Sequence, residues 1–149
     1  MDIAINLNDY KCPMVDIKRL INNYGPNREI GILKINPERL PMVMSEEYAL
    51  QEMDRFKDRR HCYSFFDGHY GIIFDSKAAL IRDGQIALTG NAYIVRRQCR
   101  VNVGLTGQNL VELFNYFEDI PGATIRDSDT DVKYDALLFE YDEEKRCWR

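Results

Sequence analysis

The centre of the chain decides its fold, because residues 62–88 read CYSFFDGHYGIIFDSKAALIRDGQIAL. Short runs of β-branched and aromatic residues alternate here with the dipeptides Asp67-Gly68 and Asp83-Gly84. A two-residue Asp-Gly loop tolerates the positive φ angles of a type I′ turn and joins neighbouring antiparallel strands. The stretch therefore predicts two consecutive β-hairpins, which pair residues 62–66 with 69–74 and residues 79–82 with 85–88.

Further strands are predicted on either side of the hairpins. Residues 30–35 are nearly all apolar, which favours a strand covered on both faces. Residues 92–103 alternate apolar and polar side chains, and Arg97 breaks the alternation, which predicts a bulge or turn near residues 97–98. A last strand is expected over residues 136–141.

Three amphipathic helices complete the predicted fold. The first spans roughly residues 14–24. The second begins at the N-cap Ser45 and runs for about 14 residues, and the third begins at the N-cap Thr106. The apolar stripe of the second helix consists of Ala49, Leu50, Met53 and Phe56. Helices and antiparallel hairpins are mixed along the chain, which predicts an α+β fold. We expect a single domain over residues 1–149 with about three helices on a largely antiparallel sheet.

Length and composition favour one globular domain. The chain has 149 residues, of which 45% are hydrophobic and 30% are charged. No apolar run approaches the ~18 residues of a membrane helix, and the first residues lack the basic flank of a signal peptide. We therefore expect a cytoplasmic protein without a membrane partner. The net charge of −4 argues against direct nucleic-acid binding.

The negative charge is concentrated in residues 118–149, which carry a net charge of −5. Asp127, Asp129 and Asp131 have the spacing that begins a calcium loop. Val132 and Leu138 then occupy the positions that need glycine and glutamate, so an acidic surface loop is the interpretation, and a partner-binding surface is the functional alternative. No metal or cofactor is predicted, because the four cysteines lie at least 37 residues apart without a CxxC pair.

A candidate ligand site lies where residues 92–103 lead into the last helix. Free backbone N–H groups at a helix start bind anions, and Arg96 and Arg100 come just before that start. The predicted site consists of Arg96, Arg100, Thr106 and Gly107, with Tyr93 as a stacking wall, and its ligand is a phosphorylated nucleotide. An ordinary N-cap beside solvated arginines is the alternative, since the GxGxxG and Walker patterns are absent.

Two further sets of residues are candidates for binding and catalysis. A basic run of Arg55, Lys57, Arg59, Arg60 and His61 suits a helix C-terminus, and its functional alternative is contact with an acidic partner or a nucleic-acid backbone. The GxSxG and HExxH motifs are absent, and no catalytic residue is assigned. A hydrolase around His61, Ser64 and His69 stays as an alternative, which requires two of these side chains within hydrogen-bond distance.

Three segments, GIIF at 71–74, LTGNAYIV at 88–95 and LT at 105–106, resemble a small uncharacterised domain family of Gram-positive phages and mobile elements. The resembling stretch covers roughly a third of the chain. The resemblance implies a small accessory protein and brings no established activity with it.

Together with the absence of catalytic motifs, this resemblance leads to the main hypothesis, a non-enzymatic, anti-CRISPR-like protein from a phage or mobile element that inhibits a host defence system by protein–protein contact in the host cytoplasm. Asp127, Asp129 and Asp131 would meet a basic surface of the host protein. The alternatives are sequestration of a phosphorylated signalling nucleotide and the hydrolase. Exposed sheet edges leave a homodimer open.

Overall fold

The computed structural model describes residues 22, 25, 27–66, 68–99, 101–118, 122–126 and 133–149. Its α-helices are α1 (Glu46–Asp54) and α2 (Gly107–Glu118), and two 3-10 turns cover Lys57–Arg59 and Ser76–Ala78. The strands are β1 (Glu29–Asn36), β2 (Arg39–Met44), β3 (Arg60–Phe65), β4 (Tyr70–Asp75), β5 (Ala79–Arg82), β6 (Gln85–Leu88), β7 (Ala92–Gln98), β8 (Val101–Val103), β9 (Leu105–Thr106), β10 (Gly122–Arg126), β11 (Lys133–Asp142) and β12 (Cys147–Trp148).

The strands form one sheet in the order β2-β1-β7-β4-β3-β12-β11-β6-β5, and β8, β9 and β10 branch from β7, β1 and β11. Within the described chain, neighbouring strands are antiparallel except β12 and β3, which pair in parallel where Trp148 meets Phe65. The largely antiparallel sheet is confirmed in a single sheet-rich domain. The fold is mainly β, however, and the described segments hold two α-helices instead of about three. The helix predicted over 14–24 lies almost entirely outside the described residues.

The sheet buries side chains on both faces, and each face has its own helix. Along β4, Ile72 and Phe74 pack on one face and Ile73 on the other, as the period of two in a strand requires. The α2 residues Leu110 and Leu113 join the first face, which we call the α2 face. The opposite face is the α1 face, where Ala49, Met53 and Phe56 pack on Ile32, Ile73, Tyr93 and Val95.

The two predicted hairpins form, but their turns differ from the prediction. In the second hairpin Arg82 pairs with Gln85, so the two-residue loop is confirmed. Gly84 has a φ of 78°, whereas Asp83 is not among the described non-glycine residues with positive φ, so the type I′ assignment was wrong. In the first hairpin Phe65 pairs with Tyr70, which makes the loop four residues long.

The longer loop has a cause in the tertiary structure. The ring of Phe66 packs against the ring of Tyr116 on α2, with centroids 4.7 Å apart. Phe66 accordingly leaves the strand with a φ of 65°. Packing on the helix therefore outweighs the local preference of Asp67-Gly68 for a two-residue loop.

Three smaller differences concern where elements begin and end. The α1 helix has 9 residues instead of about 14, and its Leu50 is 53% exposed. The turn after β7 falls one residue later than predicted, at Cys99, which has a φ of 51°. Strand β2 was not predicted because it contains Pro41, which a sheet tolerates at its edge. In the described part of the chain, no helix has the length and apolar character needed to cross a membrane.

Candidate functional site

A polar cavity opens on the α1 face of the sheet. Its volume is about 510 Å³, which lies within the usual range of small-molecule sites. The cavity lies where α1 crosses β1 and the beginning of β7, next to the 3-10 turn that follows β4. Its ionisable lining residues are Lys34, Glu52, Arg55, Asp75, Lys77 and Tyr93.

The floor of the cavity is a hydrogen-bond network between the sheet and α1. Lys34 on β1 stands directly across from Tyr93 on β7, so both side chains project from the α1 face. The Lys34 ammonium donates to both carboxylate oxygens of Glu52, at 3.1 and 2.9 Å. The Tyr93 hydroxyl also donates to Glu52. One helical carboxylate therefore binds two neighbouring strands.

The Tyr93 hydroxyl is held in its protonated form. Burial raises the pKa of Tyr93 far above its ordinary value, and the hydrogen bond to Glu52 and the charge of Glu52 raise this pKa further. The Lys34 ammonium lies 5.8 Å from the centroid of the Tyr93 ring, within the range of a cation–π contact. Tyr93 therefore acts as a fixed donor, and Glu52 already accepts from two protein groups.

The second carboxylate of the cavity is also engaged. Asp75, at the end of β4, accepts from Nε and Nη2 of Arg59, both at 3.1 Å. It also accepts from the backbone N–H of Lys77 at 3.0 Å. The hydrogen bonds from Arg59 and from the Lys77 backbone lower the pKa of Asp75. Asp75 is therefore ionised at neutral pH and neutralised by a guanidinium outside the cavity lining.

Two cations of the cavity have no such partner. Arg55, at the C-cap of α1, and Lys77, in the 3-10 turn after β4, form no side-chain ion pair with any residue that the structure describes. Arg55 is exposed and Lys77 is exposed, so both can turn towards a bound molecule. The cavity thus combines satisfied carboxylates with available positive charge.

The structure separates the residues of the predicted ligand site. Tyr93 lines the cavity on the α1 face. Arg96 lies three residues further along β7 and projects from the opposite face, where it pairs with Glu29 at 3.1 Å and donates to the Gly104 carbonyl at 3.4 Å. Tyr93 is therefore not brought together with Arg96, and a stacking wall beside that arginine does not form.

Thr106 and Asn109 bond to each other at the start of α2, which caps one N–H group of the first turn. The Thr106 N–H and hydroxyl both donate to the Asn109 side-chain oxygen at 2.9 Å, and the Thr106 hydroxyl accepts from the Asn109 N–H at 3.3 Å. Gly107 is the first residue of the helix and is buried. Arg100 lies outside the described residues. Anion binding by Arg96, Arg100, Thr106 and Gly107 stays a prediction, and the described members make contacts within the fold.

Part of the basic run lies beside the cavity, and the acidic loop lies outside the described residues. In the basic run, Arg60 donates to the Met53 carbonyl at 2.9 Å, and Arg55 and Arg59 contribute to the cavity and its rim. Asp127, Asp129 and Asp131 lie outside the described residues, so partner binding by this loop stays a prediction.

The hydrolase alternative named three residues, and two of them, His61 and Ser64, lie on opposite faces of the sheet. His61 stacks on Tyr63 and Phe74 on the α2 face, with its Nδ1 3.2 Å from the Tyr63 hydroxyl. Ser64 lies on the α1 face, where it accepts a hydrogen bond from Arg97 at 3.0 Å. His61 and Ser64 therefore point to opposite sides of β3, and His69 is exposed in the loop after it.

Sequence reasoning missed Lys34, Glu52 and Lys77 as members of one site. One signal was available, because Lys34 is the single charge within the apolar residues 30–35. A cation in a strand covered on both faces needs a partner, since an unpaired buried charge is costly. The identity of that partner, Glu52, could not be inferred from the sequence.

Comparisons with protein-family models, with curated proteins and with solved structures find no match to this chain. Across the described ranges, no three His, Cys, Asp or Glu side chains converge on a point where a metal ion would bind.

Proposed function

We propose that this chain is a binding protein whose ligand is a small anion of the phosphorylated-nucleotide class, held in the cavity between α1 and the sheet. One observation carries the proposal. Both cavity carboxylates, Glu52 and Asp75, accept hydrogen bonds from protein donors, whereas the side chains of Arg55 and Lys77 have no hydrogen-bond acceptor or ion-pair partner among the residues that the structure describes. A phosphate group supplies the acceptor oxygens that these two side chains lack.

The size of the cavity supports a ligand larger than an inorganic ion. A volume of about 510 Å³ accommodates a sugar and a base in addition to a phosphate. Asn91 lines the same cavity, and its side-chain oxygen accepts from Asn36 at 2.8 Å. The amide N–H groups of Asn91 are then the donors it can present to polar atoms of a base or sugar.

Sequestration is the role that such a site suits. The hydrogen bonds among Lys34, Glu52 and Tyr93 fix the floor of the cavity, so the ligand meets a surface whose side chains are already oriented. A host defence system that signals through a nucleotide would lose that signal to a tight binder. The separate hypothesis of a host protein bound through Asp127, Asp129 and Asp131 stays a prediction.

A thermal-shift screen tests the proposal. The panel contains nucleoside mono-, di- and triphosphates, cyclic nucleotides, the unphosphorylated nucleosides and inorganic phosphate. At 100 times its Kd a ligand stabilises the folded state by about 2.7 kcal/mol, which for this chain length raises Tm by about 5–11 °C. We expect such a shift from at least one nucleotide and none from its nucleoside, because the phosphate carries the charge.

Charge reversal at the cavity provides the matched test. The R55E and K77E variants should lose at least ten-fold in affinity by titration calorimetry, and raising the salt concentration should weaken wild-type binding. The K145E variant makes the same charge change at an exposed residue outside the cavity and should bind as wild type does. Absence of any shift at about 1 mM of every nucleotide would refute the proposal, as would equal binding by R55E and wild type.

A further inference from the structure

Strand β5 ends the sheet with an exposed apolar edge. Among the described strands it pairs only with β6. Leu80 is 47% exposed and Ile81 is 42% exposed, although they are neighbours that point to opposite faces. An apolar edge strand with free backbone groups is a template for pairing with another strand.

The backbone shows which groups of β5 face outward. The Ala78 carbonyl accepts hydrogen bonds from the N–H groups of Thr89 and Gly90, at 2.8 and 3.0 Å, so it points towards the β6 side. Hydrogen-bonding direction alternates along an antiparallel strand. Leu80 therefore also faces β6 with its N–H and carbonyl, and the backbone groups of Ala79 and Ile81 face outward.

We propose that β5 pairs antiparallel with β5 of a second copy of this chain, about a two-fold axis that passes beside Leu80. In this register the backbone N–H and carbonyl of Ile81 bond to the carbonyl and N–H of Ala79 of the partner subunit. The two-fold axis repeats these two bonds on its other side, which gives about four backbone hydrogen bonds. Leu80 then faces its own counterpart at a non-hydrogen-bonded position, where Cα atoms approach to about 4.5 Å and side chains are closest.

The side chains of β5 are complementary to themselves in this register. The large Ile81 lies beside the small Ala79 of the partner subunit, and the most exposed apolar side chain of the strand is covered. Lys77 lies in the 3-10 turn just before the strand and Asp83 follows the strand, so antiparallel pairing brings the Lys77 end of one strand to the Asp83 end of the other. This charge complementarity at both ends favours a second copy over an unrelated strand.

The interface is isologous and closes after two subunits. Because β5 has 4 residues, the pairing buries less than the roughly 1,200 Å² of a stable interface, and the dimer is reversible. Lys77 also lines the ligand cavity, whereas Leu80 does not, so a substitution at Leu80 changes the interface and leaves the cavity lining intact.

Sedimentation equilibrium of the full chain, from about 10 μM to about 1 mM, measures the association. We expect a monomer–dimer equilibrium that the L80K variant weakens at least ten-fold, because two ammonium groups then meet on the axis. The matched control is L50K, since Leu50 on α1 is 53% exposed and lies outside the interface. L50K should associate as wild type does.

Cross-linking is a second test, which places no charge on the edge strand and so avoids the risk that L80K disturbs folding. A Cα separation of about 4.5 Å lies within the range of a disulfide, so oxidation of the L80C variant should join two chains at position 80, and L50C should not. Peptide mapping identifies the bond, because Cys62 and Cys99 are exposed as well. A monomer at every concentration overturns the proposal. So does a dimer that is unaffected by L80K and gives no bond at position 80.

Discussion

Replacement of Gly31 by alanine should destabilise the protein through a backbone clash. Gly31 lies in β1, where β2 and β9 flank it. A Cβ atom at this position would lie 2.2 Å from the carbonyl oxygen of Met44 and 3.1 Å from its carbonyl carbon. Met44 is the last residue of β2 and directly precedes Ser45, the N-cap of α1. The clash therefore displaces the strand end that positions the helix above the cavity.

The magnitude follows from the distance. Ordinary contact with a Cβ begins at 3.4 Å, so the Met44 carbonyl must move by about 1 Å. Overpacking of this kind costs about 1–3 kcal/mol, and we expect the upper half of that range because the atom belongs to the backbone. The lower chain entropy of alanine in the unfolded state returns about 0.4–1 kcal/mol. The net loss is about 2 kcal/mol, or a fall in Tm of about 4–8 °C.

Urea unfolding followed by circular dichroism measures this loss. The matched control is G104A, because Gly104 is buried, and the nearest atom to its added Cβ is 3.5 Å away, at ordinary contact distance. G104A should be within about 1 kcal/mol of wild type. If G31A matches wild type within about 0.5 kcal/mol at an unchanged m-value, then the close approach of β1 and Met44 is wrong.

Two further outcomes are expected. Tyr93 and Tyr116 should ionise well above the ordinary tyrosine value of about 10 in an absorbance titration, because burial raises the pKa of Tyr116 to about 12 and that of Tyr93 further. Since both folded values lie above the unfolded value, their stabilising effect is complete below about pH 10 and is lost as the pH rises past it. Y93F should reduce the loss, and complete ionisation of Tyr93 and Tyr116 near pH 10 in the folded protein would contradict this. S45A should lower the free energy of unfolding by about 1 kcal/mol, because the Ser45 hydroxyl caps the Tyr48 N–H at 3.1 Å, whereas S76A in the exposed turn should change it little.

Local signals predicted the elements, and tertiary contacts decided where the elements end. The loop at Asp83-Gly84 was predictable because its neighbours lie within the same hairpin. The loop at Asp67-Gly68 was not, because Phe66 leaves β3 to pack on Tyr116, 50 positions later in the chain. Strand β2 escaped prediction because Pro41 argues against a central strand, and the position of β2 at the sheet edge is a property of the whole topology.

The cavity was less predictable than the fold. Its floor joins Lys34 to Glu52 and Glu52 to Tyr93, contacts that span 18 and 41 positions of sequence. Tyr93 was expected to bind a ligand together with Arg96, because the two residues are close in the chain. Side chains alternate between the two faces along β7, so Tyr93 and Arg96 lie on opposite faces of the sheet. Closeness in the sequence therefore did not predict closeness in the fold.

The two faces of the sheet explain why the cavity is where it is. On the α2 face, the 12-residue α2 brings Tyr116 and Phe117 onto Phe65, with ring centroids 5.7 and 6.0 Å apart, and Phe139 packs on the same ring. Aromatic side chains of that size fill the space between helix and sheet. The 9-residue α1 buries only Ala49 and Met53 of its own residues. A shorter helix with smaller buried side chains leaves part of the sheet uncovered, and Lys34 can project there only because Glu52 reaches it from α1. The same shortness that opens the cavity thus makes its floor depend on one carboxylate.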